Sequence, residues 1–284
     1  MKVCVTGASG KAGRAVVADL LEHGHQVLAT DLVVPAPGSP AASRFTRADL
    51  TDFGEAVEIL RGSEAVVHLA NIPAPGLRTP AVTFTENMTM NFNVFTAAVQ
   101  AGLSRVVWPS SETTLGLPFD VPPRYAPVDE EHYPVPTSTY ALSKVASETV
   151  AEQIAGWSGV PFVALRFSNI LGPADYENFP SYWGDANLRK WNLWGYIDER
   201  DAAAASRLAL TADVSGSDSF IIAAADTVMT RPSAELMSEV FPAVPLTGPV
   251  PATATLLSIA KAGQKLGFTP AHSWRDHVSV GTTS

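Results

Sequence analysis

The sequence predicts an α/β fold, a doubly wound parallel sheet with a small C-terminal lobe, and three observations predict it. Short apolar, β-branched runs alternate with stretches of helical spacing from residue 2 to about residue 170. The first run enters a glycine-rich turn, "TGASGKAG" at 6–13, which opens the first helix. The second run closes on an acid, Asp31. Strand, glycine turn, helix and strand in this order form the opening unit of a Rossmann architecture, with right-handed crossovers and helices on both faces.

Residues 2–6 (KVCVT) read as a buried strand, and 11–22 (KAGRAVVADLLE) as a helix with apolar spacing through Ala15, Val16, Ala18, Leu20 and Leu21. Gly24 ends that helix as a C′ glycine. Residues 26–30 (QVLAT) form the second strand, and the Pro/Ala/Ser stretch 35–43 is an exposed loop. Helix 53–60, strand 65–70 (AVVHLA), helix 83–101, strand 105–108 (RVVW), helix 138–156 and strand 162–166 (FVALR) continue the alternation.

After residue 170 the texture changes. "GPADYENFPSYWGDANLRKWNLWGY" carries three of the six tryptophans and three of the six tyrosines. Residues 202–212 return to a helix and 219–224 (SFIIAA) to a strand, while 226–284 hold prolines and two short helical patterns. The expected division is a sheet domain over 1–170 plus 196–225 and a small lobe over 171–195 plus 226–284.

Composition narrows the function. The 284 residues are 46% apolar, enough for a large core, and 17% charged, with a net charge of -9. Nucleic acid and anionic membrane both call for basic patches, so neither is an expected partner. The single cysteine, Cys4, sits in an apolar run and reads as a small hydrophobe, which fits a reducing compartment. Neither a signal-peptide pattern nor a bilayer-spanning run is evident, so a cytoplasmic protein is expected. The six histidines show no metal-ligand spacing, and no metal is expected.

The glycine turn points to a nucleotide. Gly7, Gly10 and Gly13 let the backbone approach a pyrophosphate closely, and the helix that follows offers free N–H groups and the positive end of its dipole. The pattern TGxxGxxG differs from the general GxGxxG and is weak alone. Asp31 strengthens it, because a carboxylate at the end of the second strand accepts the ribose hydroxyls and repels a 2′-phosphate. The turn residues Gly7, Ser9, Gly10, Lys11, Ala12 and Gly13, with Asp31, are therefore expected to bind NAD, and NADP less so. Lys11 and Arg14 leave a route to a 2′-phosphate open.

A second constellation suggests proton transfer. In "TSTYALSKVASE", Tyr140 and Lys144 stand four apart on one helix face. A phenol is a poor base near neutral pH, and an ammonium beside it is expected to stabilise the phenolate. The same lysine can reach a nicotinamide ribose, and Tyr140 then shuttles the proton of an alcohol. Strand 105–108 runs into Ser110 and Ser111, and ligands sit at the carboxyl ends of strands in such sheets. A serine hydroxyl there either polarises a substrate oxygen or caps the next segment.

These stretches together resemble an extended short-chain dehydrogenase/reductase of the NAD-dependent epimerase/dehydratase family. The matches are TGASGKAG, "ADL" at 48–50, "HLA" at 68–70, "SSETTLG" at 110–116, "YALSK" at 140–144, "LRFSNILGP" at 165–173 and "LGFTP" near the end. The resemblance implies that Ser111, Tyr140 and Lys144 are catalytic. It implies that Asp49 and Leu50 contact adenine, that Leu69, Ala70 and Asn71 wall the cofactor cleft, and that Asn87 lies near the nicotinamide. Phe167 to Asn169 match a segment touching nicotinamide and substrate, so Phe167 is assigned to the cofactor and Asn169 to the substrate. Arg200, in "YIDERDAA", matches a segment that faces the cleft in relatives.

Departures accompany the matches. Members that dehydrate nucleotide sugars resemble a Thr-Asp-Glu pattern where this chain has Ser111, Glu112 and Thr113. Glu112 can stand in for the acid on the substrate side, but Thr113 cannot replace a glutamate base. Leu115 replaces a usual tyrosine, and Met90 and Asn91 replace a usual Gly-Thr pair. Arg166, Arg189, Lys190, Arg200 and Arg207 are the candidates for gripping a diphosphate.

The leading expectation is an NAD-dependent oxidoreductase or epimerase acting on a sugar or nucleotide-sugar hydroxyl. An NAD-dependent dehydrogenase of a free sugar, uronate or other small alcohol is the alternative. A third reading is a Rossmann protein that senses NAD(P) and regulates a partner without turnover. The resemblance also implies a homodimer through helices 83–101 and 138–156.

Overall fold

The computed structural model describes residues 1–279. Strand β1 (Lys2–Thr6) leads into α1 (Lys11–Glu22), and β2 (Gln26–Asp31) follows. A three-residue strand β3 (Phe45–Arg47) then pairs with β2, after a 3-10 turn within the expected loop. Next come α2 (Phe53–Leu60), β4 (Ala65–His68), α3 (Pro80–Gln100) and β5 (Arg105–Ser111). Helix α4 (Thr139–Ser158) and β6 (Phe162–Phe167) complete the expected alternation. Strand β7 (Ile170–Leu171) pairs with β8 (Ile197–Asp198) across the aromatic segment, which folds as 3-10 turns. The chain ends with α5 (Glu199–Ala209), β9 (Ser217–Ile222), α6 (Ser233–Val240) and α7 (Ala260–Leu266).

The main sheet is parallel throughout, with strand order β3-β2-β1-β4-β5-β6-β9. Its order reverses between β1 and β4, which opens a crevice at their carboxyl ends. Both faces are covered, which explains why the strands read as continuous apolar runs. On one face Val3 and Val5 of β1 pack with Val16, Val17 and Leu20 of α1 and with the alanines of α5. On the other, Cys4 packs with Trp108, Phe95 and Phe162 beneath α2, α3 and α4. Burial pushes the Cys4 thiol up to about 12, so it behaves as the small hydrophobe the sequence suggests.

A third apolar cluster lies off the sheet. Tyr176, Phe179, Trp194, Tyr196 and Trp274 are almost fully enclosed there, joined by residues of 115–128 and of 221–257. The aromatic side chains of that stretch therefore belong to a core, with Tyr182, Trp183 and Trp191 packed at its margin. The last residues of the expected small lobe, 280–284, lie outside the described residues. No helix among the described residues is long and apolar enough to cross a membrane.

Several boundaries shift for local reasons. Strand β4 stops at His68, because Leu69 to Asn71 turn away along the crevice. Helix α5 starts three residues early, at Glu199, because the Asp198 side chain caps it by accepting from the Arg200 N–H.

Candidate active site

The crevice is a cleft of about 880 Å³ running from the glycine turn to the carboxyl ends of β5 and β6. At its first end the backbone does the shaping. Gly7 has φ +64°, and a Cβ there would lie 2.6 Å from the Ala70 nitrogen. A Cβ on Gly13 would lie 2.0 Å from the Gly7 carbonyl oxygen. Both positions therefore need glycine, and the turn stays low enough for a ligand to lie on it. Helix α1 begins there with no side-chain cap and no acid in its first turn, so its leading N–H groups and dipole end face the cleft uncompensated. An anion such as a pyrophosphate fits this cradle.

Asp31 lines the cleft beside the turn. One carboxylate oxygen accepts from the Ser9 N–H at 2.9 Å, the other from the Val33 N–H at 3.0 Å. Each oxygen keeps a lone pair for a ribose hydroxyl. The two cations that left a 2′-phosphate open are engaged elsewhere. Lys11 Nζ bonds Asp175 at 2.6 Å, and Arg14 donates to the Ser9 carbonyl at 2.7 Å.

Behind this end runs a buried polar chain. Thr6 Oγ1 bonds His68 Nδ1 at 2.7 Å, His68 Nε2 bonds Asn91 Oδ1 at 3.0 Å, and Asn91 Nδ2 donates to Ser147 Oγ at 2.7 Å. Thr6 Oγ1 also accepts from the Ala70 N–H, which fixes the cleft wall. Burial, helped by the Lys144 charge, holds His68 down at about 3, so the ring stays neutral. Asn91, a departure from the family pattern in sequence, is the link between this histidine and α4.

At the other end, Ser111 closes β5 and Tyr140 opens α4, and both line the cleft. The Ser111 hydroxyl lies near enough to the Tyr140 phenol to favour its ionised form. It also caps the turn that follows, accepting from the Thr113 N–H at 3.1 Å, so the two readings of this serine coexist. Lys144 is fully buried one turn along, with Nζ donating to the Pro109 carbonyl at 2.7 Å and lying 5.5 Å from the Tyr140 ring. Glu148, a further turn on, accepts from Ser110 Oγ at 2.5 Å and holds Arg166 by two bonds of 2.9 and 2.8 Å. The i, i+4, i+8 row Tyr140, Lys144, Glu148 thus faces β5; the sequence reading took its first two members and missed the third.

Burial acts on both members of the pair. Burial pushes the Tyr140 phenol up to about 12; the Ser111 hydroxyl opposes this and the Glu112 charge adds to it. Burial also pulls the Lys144 ammonium down to about 7, against the attraction of Glu148.

Glu112 forms part of the cleft floor next to Ser111 and is 3% exposed. One oxygen accepts from Ser168 Oγ at 2.6 Å and the other from Asn192 Nδ2 at 3.2 Å. Burial raises its carboxyl to about 7, while these bonds and Arg189 pull the other way. Phe167, Ser168, Asn169 and Trp191 complete this end.

Of the residues expected at the site, Asp49, Leu50, Ala70, Asn87, Lys144 and Arg200 do not line the cleft. Asp49 turns its carboxylate to Thr51, and Leu50 is buried in the sheet core. Asn87 brackets Ile72, accepting from its N–H at 2.7 Å and donating to its carbonyl at 3.1 Å, and so holds the wall. Arg200 folds back on Asp198 through two side-chain bonds of 2.8 Å, and Asp198 also accepts from the Tyr176 hydroxyl.

The other expected diphosphate ligands are likewise engaged. Arg207 bonds Asp19 at 2.7 Å, Arg166 bonds Glu148, and Arg189 is buried between the Tyr182 and Trp191 rings, donating to the Gly195 carbonyl. Lys190 does not line the cleft. Among the described residues, no group of three or more His, Cys, Asp or Glu is placed to hold a metal ion.

The chain is similar to known proteins along most of its length. The model of the NAD dependent epimerase/dehydratase family matches residues 3–223. The chain is 27% identical to a UDP-glucose 4-epimerase of Corynebacterium glutamicum over 315 residues, covering 96% of this chain and 92% of that one. The crystal structure of UDP-glucose 4-epimerase from Thermotoga maritima with UDP-glucose superposes with a TM-score of 0.74 at 21% identity, over 98% of this chain and 96% of that one. A short-chain dehydrogenase/reductase superfamily protein from Agrobacterium tumefaciens with bound NAD has the same TM-score and identity, over 96% and 94%.

Proposed function

The chain belongs to the NAD-dependent epimerase/dehydratase family, and we propose that it oxidises a hydroxyl of a sugar or nucleotide sugar through Ser111, Tyr140 and Lys144. One observation carries this reading. The glycine cradle and the Ser111–Tyr140 pair line a single cleft, with Lys144 directly behind the tyrosine. The Gly7–Gly13 turn and the start of α1 would hold the pyrophosphate of NAD, Asp31 its adenosine ribose, and Leu69, Asn71 and Phe167 its remaining length. NAD supplies the hydride acceptor when bound.

The protein's own part is proton handling and orientation. Ser111 Oγ holds the substrate oxygen and the Tyr140 phenol on one hydrogen-bonded line. Tyr140 Oη gives its proton to a carbonyl oxygen in one direction and recovers it from the alcohol in the other. Lys144 Nζ, tied to the Pro109 carbonyl, keeps the positive end of that line in place. With this reading we place residues 1–170 and 196–225 as the NAD-binding domain and 171–195 with 226–284 as the substrate lobe. A cytoplasmic homodimer is proposed with it, the half-exposed Phe92 of α3 and Leu142 of α4 supporting a helical interface that light scattering can test.

The test is Tyr140→Phe. Its NAD affinity, read by calorimetry, is expected to stay within about threefold, while turnover falls by on the order of a thousandfold, the scale of a lost general acid–base. Turnover retained in the phenylalanine variant overturns the assignment.

A further inference from the structure

We propose that the substrate end of the cleft selects a neutral polyhydroxy substrate, an unactivated sugar without diphosphate or carboxylate, whose second hydroxyl donates to the Glu112 carboxylate. The inference rests on the proposed oxidation at Tyr140 and narrows its substrate class.

Two independent observations carry it. The first is an inventory of cations. A nucleoside diphosphate brings two negative phosphates that proteins meet with arginine or lysine. Among the described residues, Lys11 is the one lysine or arginine that lines the cleft; it belongs to the glycine turn, at the dinucleotide end, and is paired with Asp175. Arg166, Arg200 and Arg207 are each closed on an acid, two of them by two parallel bonds. Freeing one would strand a buried carboxylate such as Asp198.

The second observation is the sign of the floor. Glu112 stands next to Ser111 in the lining, enclosed and fixed by Ser168 and Asn192. The buried Arg189 lies behind it, close enough for its charge to act on the carboxyl. Once Glu112 ionises, as pH rises through about 7, a second carboxylate or a phosphate beside it meets a like charge in a poorly solvated place, which disfavours both ionised forms. A hydroxyl meets an acceptor with lone pairs to spare. Thr113 and Thr137, whose hydroxyls donate to Ser111 Oγ and the Leu117 carbonyl, add neutral acceptors, Asn169 an amide and Trp191 a ring to the same end, a lining suited to a polyol.

The experiment compares NAD-dependent turnover of D-galactose and D-glucose with that of their uronates and of UDP-glucose and UDP-glucuronate, with product sugars separated as well as NADH followed. The neutral sugars are expected to exceed the uronates in kcat/KM by on the order of a hundredfold. Glu112→Gln keeps the shape and removes the charge, and is expected to shrink that ratio at least ~tenfold. The comparison among substrates uses the native chain, so a poorly folded variant does not remove the test. Uronates turned over as well as neutral sugars, or a ratio unmoved in Glu112→Gln, overturns the inference. Tyr140-dependent turnover of UDP-sugars above the free sugars overturns it while sustaining the oxidation at Tyr140. Turnover of none of them by a chain that binds NAD overturns both.

Discussion

Gly13 and Glu112 stand at opposite ends of one cleft, and the chain builds the two ends by different means. At Gly13 the absence of a side chain is the functional feature, and the ligand would be met by backbone N–H groups of α1. At Glu112 the surface is made of side chains held by other side chains, with partners 56 and 80 residues away. Backbone cradles depend on local conformation, so they are set by a few consecutive residues. Side-chain floors depend on how distant loops pack, so their chemistry varies while the cradle stays the same.

If the two ends are separable, they fail separately. The largest effect is expected from Trp274→Ala in the aromatic cluster. The indole is fully buried, packs edge-on against Phe179 with ring centres 5.8 Å apart, and donates to the Thr227 carbonyl at 2.8 Å. Its loss should cost about 3–5 kcal/mol in urea unfolding. NAD affinity should nevertheless stay within a few-fold under folding conditions, because none of that cluster touches the glycine turn. A parallel collapse of NAD binding would show the two ends to be one cooperative unit.

Next comes the pH response of Glu112. Its carboxyl is raised from 4.5 to about 7 in the folded chain. Between these values the folded state keeps a proton that the unfolded state has released, so this group's contribution to stability is intact below about pH 4.5 and is lost as pH rises through 7. Glu112→Gln does not titrate. Its stability relative to the native chain should therefore grow from pH 5 to pH 8, by up to about 3 kcal/mol. A difference that stays flat across that range would place Glu112 in a wetter setting than the structure shows.

Smaller effects separate glycines by role. A methyl on Gly13 meets the Gly7 carbonyl and must push the turn open, costing about 1–3 kcal/mol and weakening NAD at least tenfold. Gly156, exposed within α4, has open space around its Cβ position. Gly156→Ala should stabilise the chain by about 0.5–1 kcal/mol through helix propensity and leave NAD binding alone. Equal behaviour of the two alanines in NAD calorimetry would remove the cradle argument.

The same contrast decides what can be read from the sequence. Helices α1 and α2 and strand β1 fall on their expected residues, since apolar periodicity and the bounding glycine or cap are local signals. Asp31, Ser111 and Tyr140 are found by their place after a strand or on a helix face. Strand β3 is invisible because three residues carry no period, and its pairing comes from β2. Arg200 lies off the cleft lining because Asp198, two residues back, takes its guanidinium, a choice among three flanking acids that the sequence does not reveal. The pairing of Arg207 with Asp19 spans 188 positions, and nothing in either neighbourhood announces it. Glu148 could have been found by extending the four-residue spacing one more turn. The burial of the phenol could not, since desolvation is a property of the assembled core.

The most direct measurement is a crystal structure of the chain grown with saturating NAD. The pyrophosphate is expected on the Gly7–Gly13 turn, the adenosine ribose on Asp31, and the nicotinamide beside the Ser111 and Tyr140 hydroxyls. A nicotinamide lying away from Tyr140, or a dinucleotide that leaves the glycine turn uncovered, contradicts this reading of the cleft.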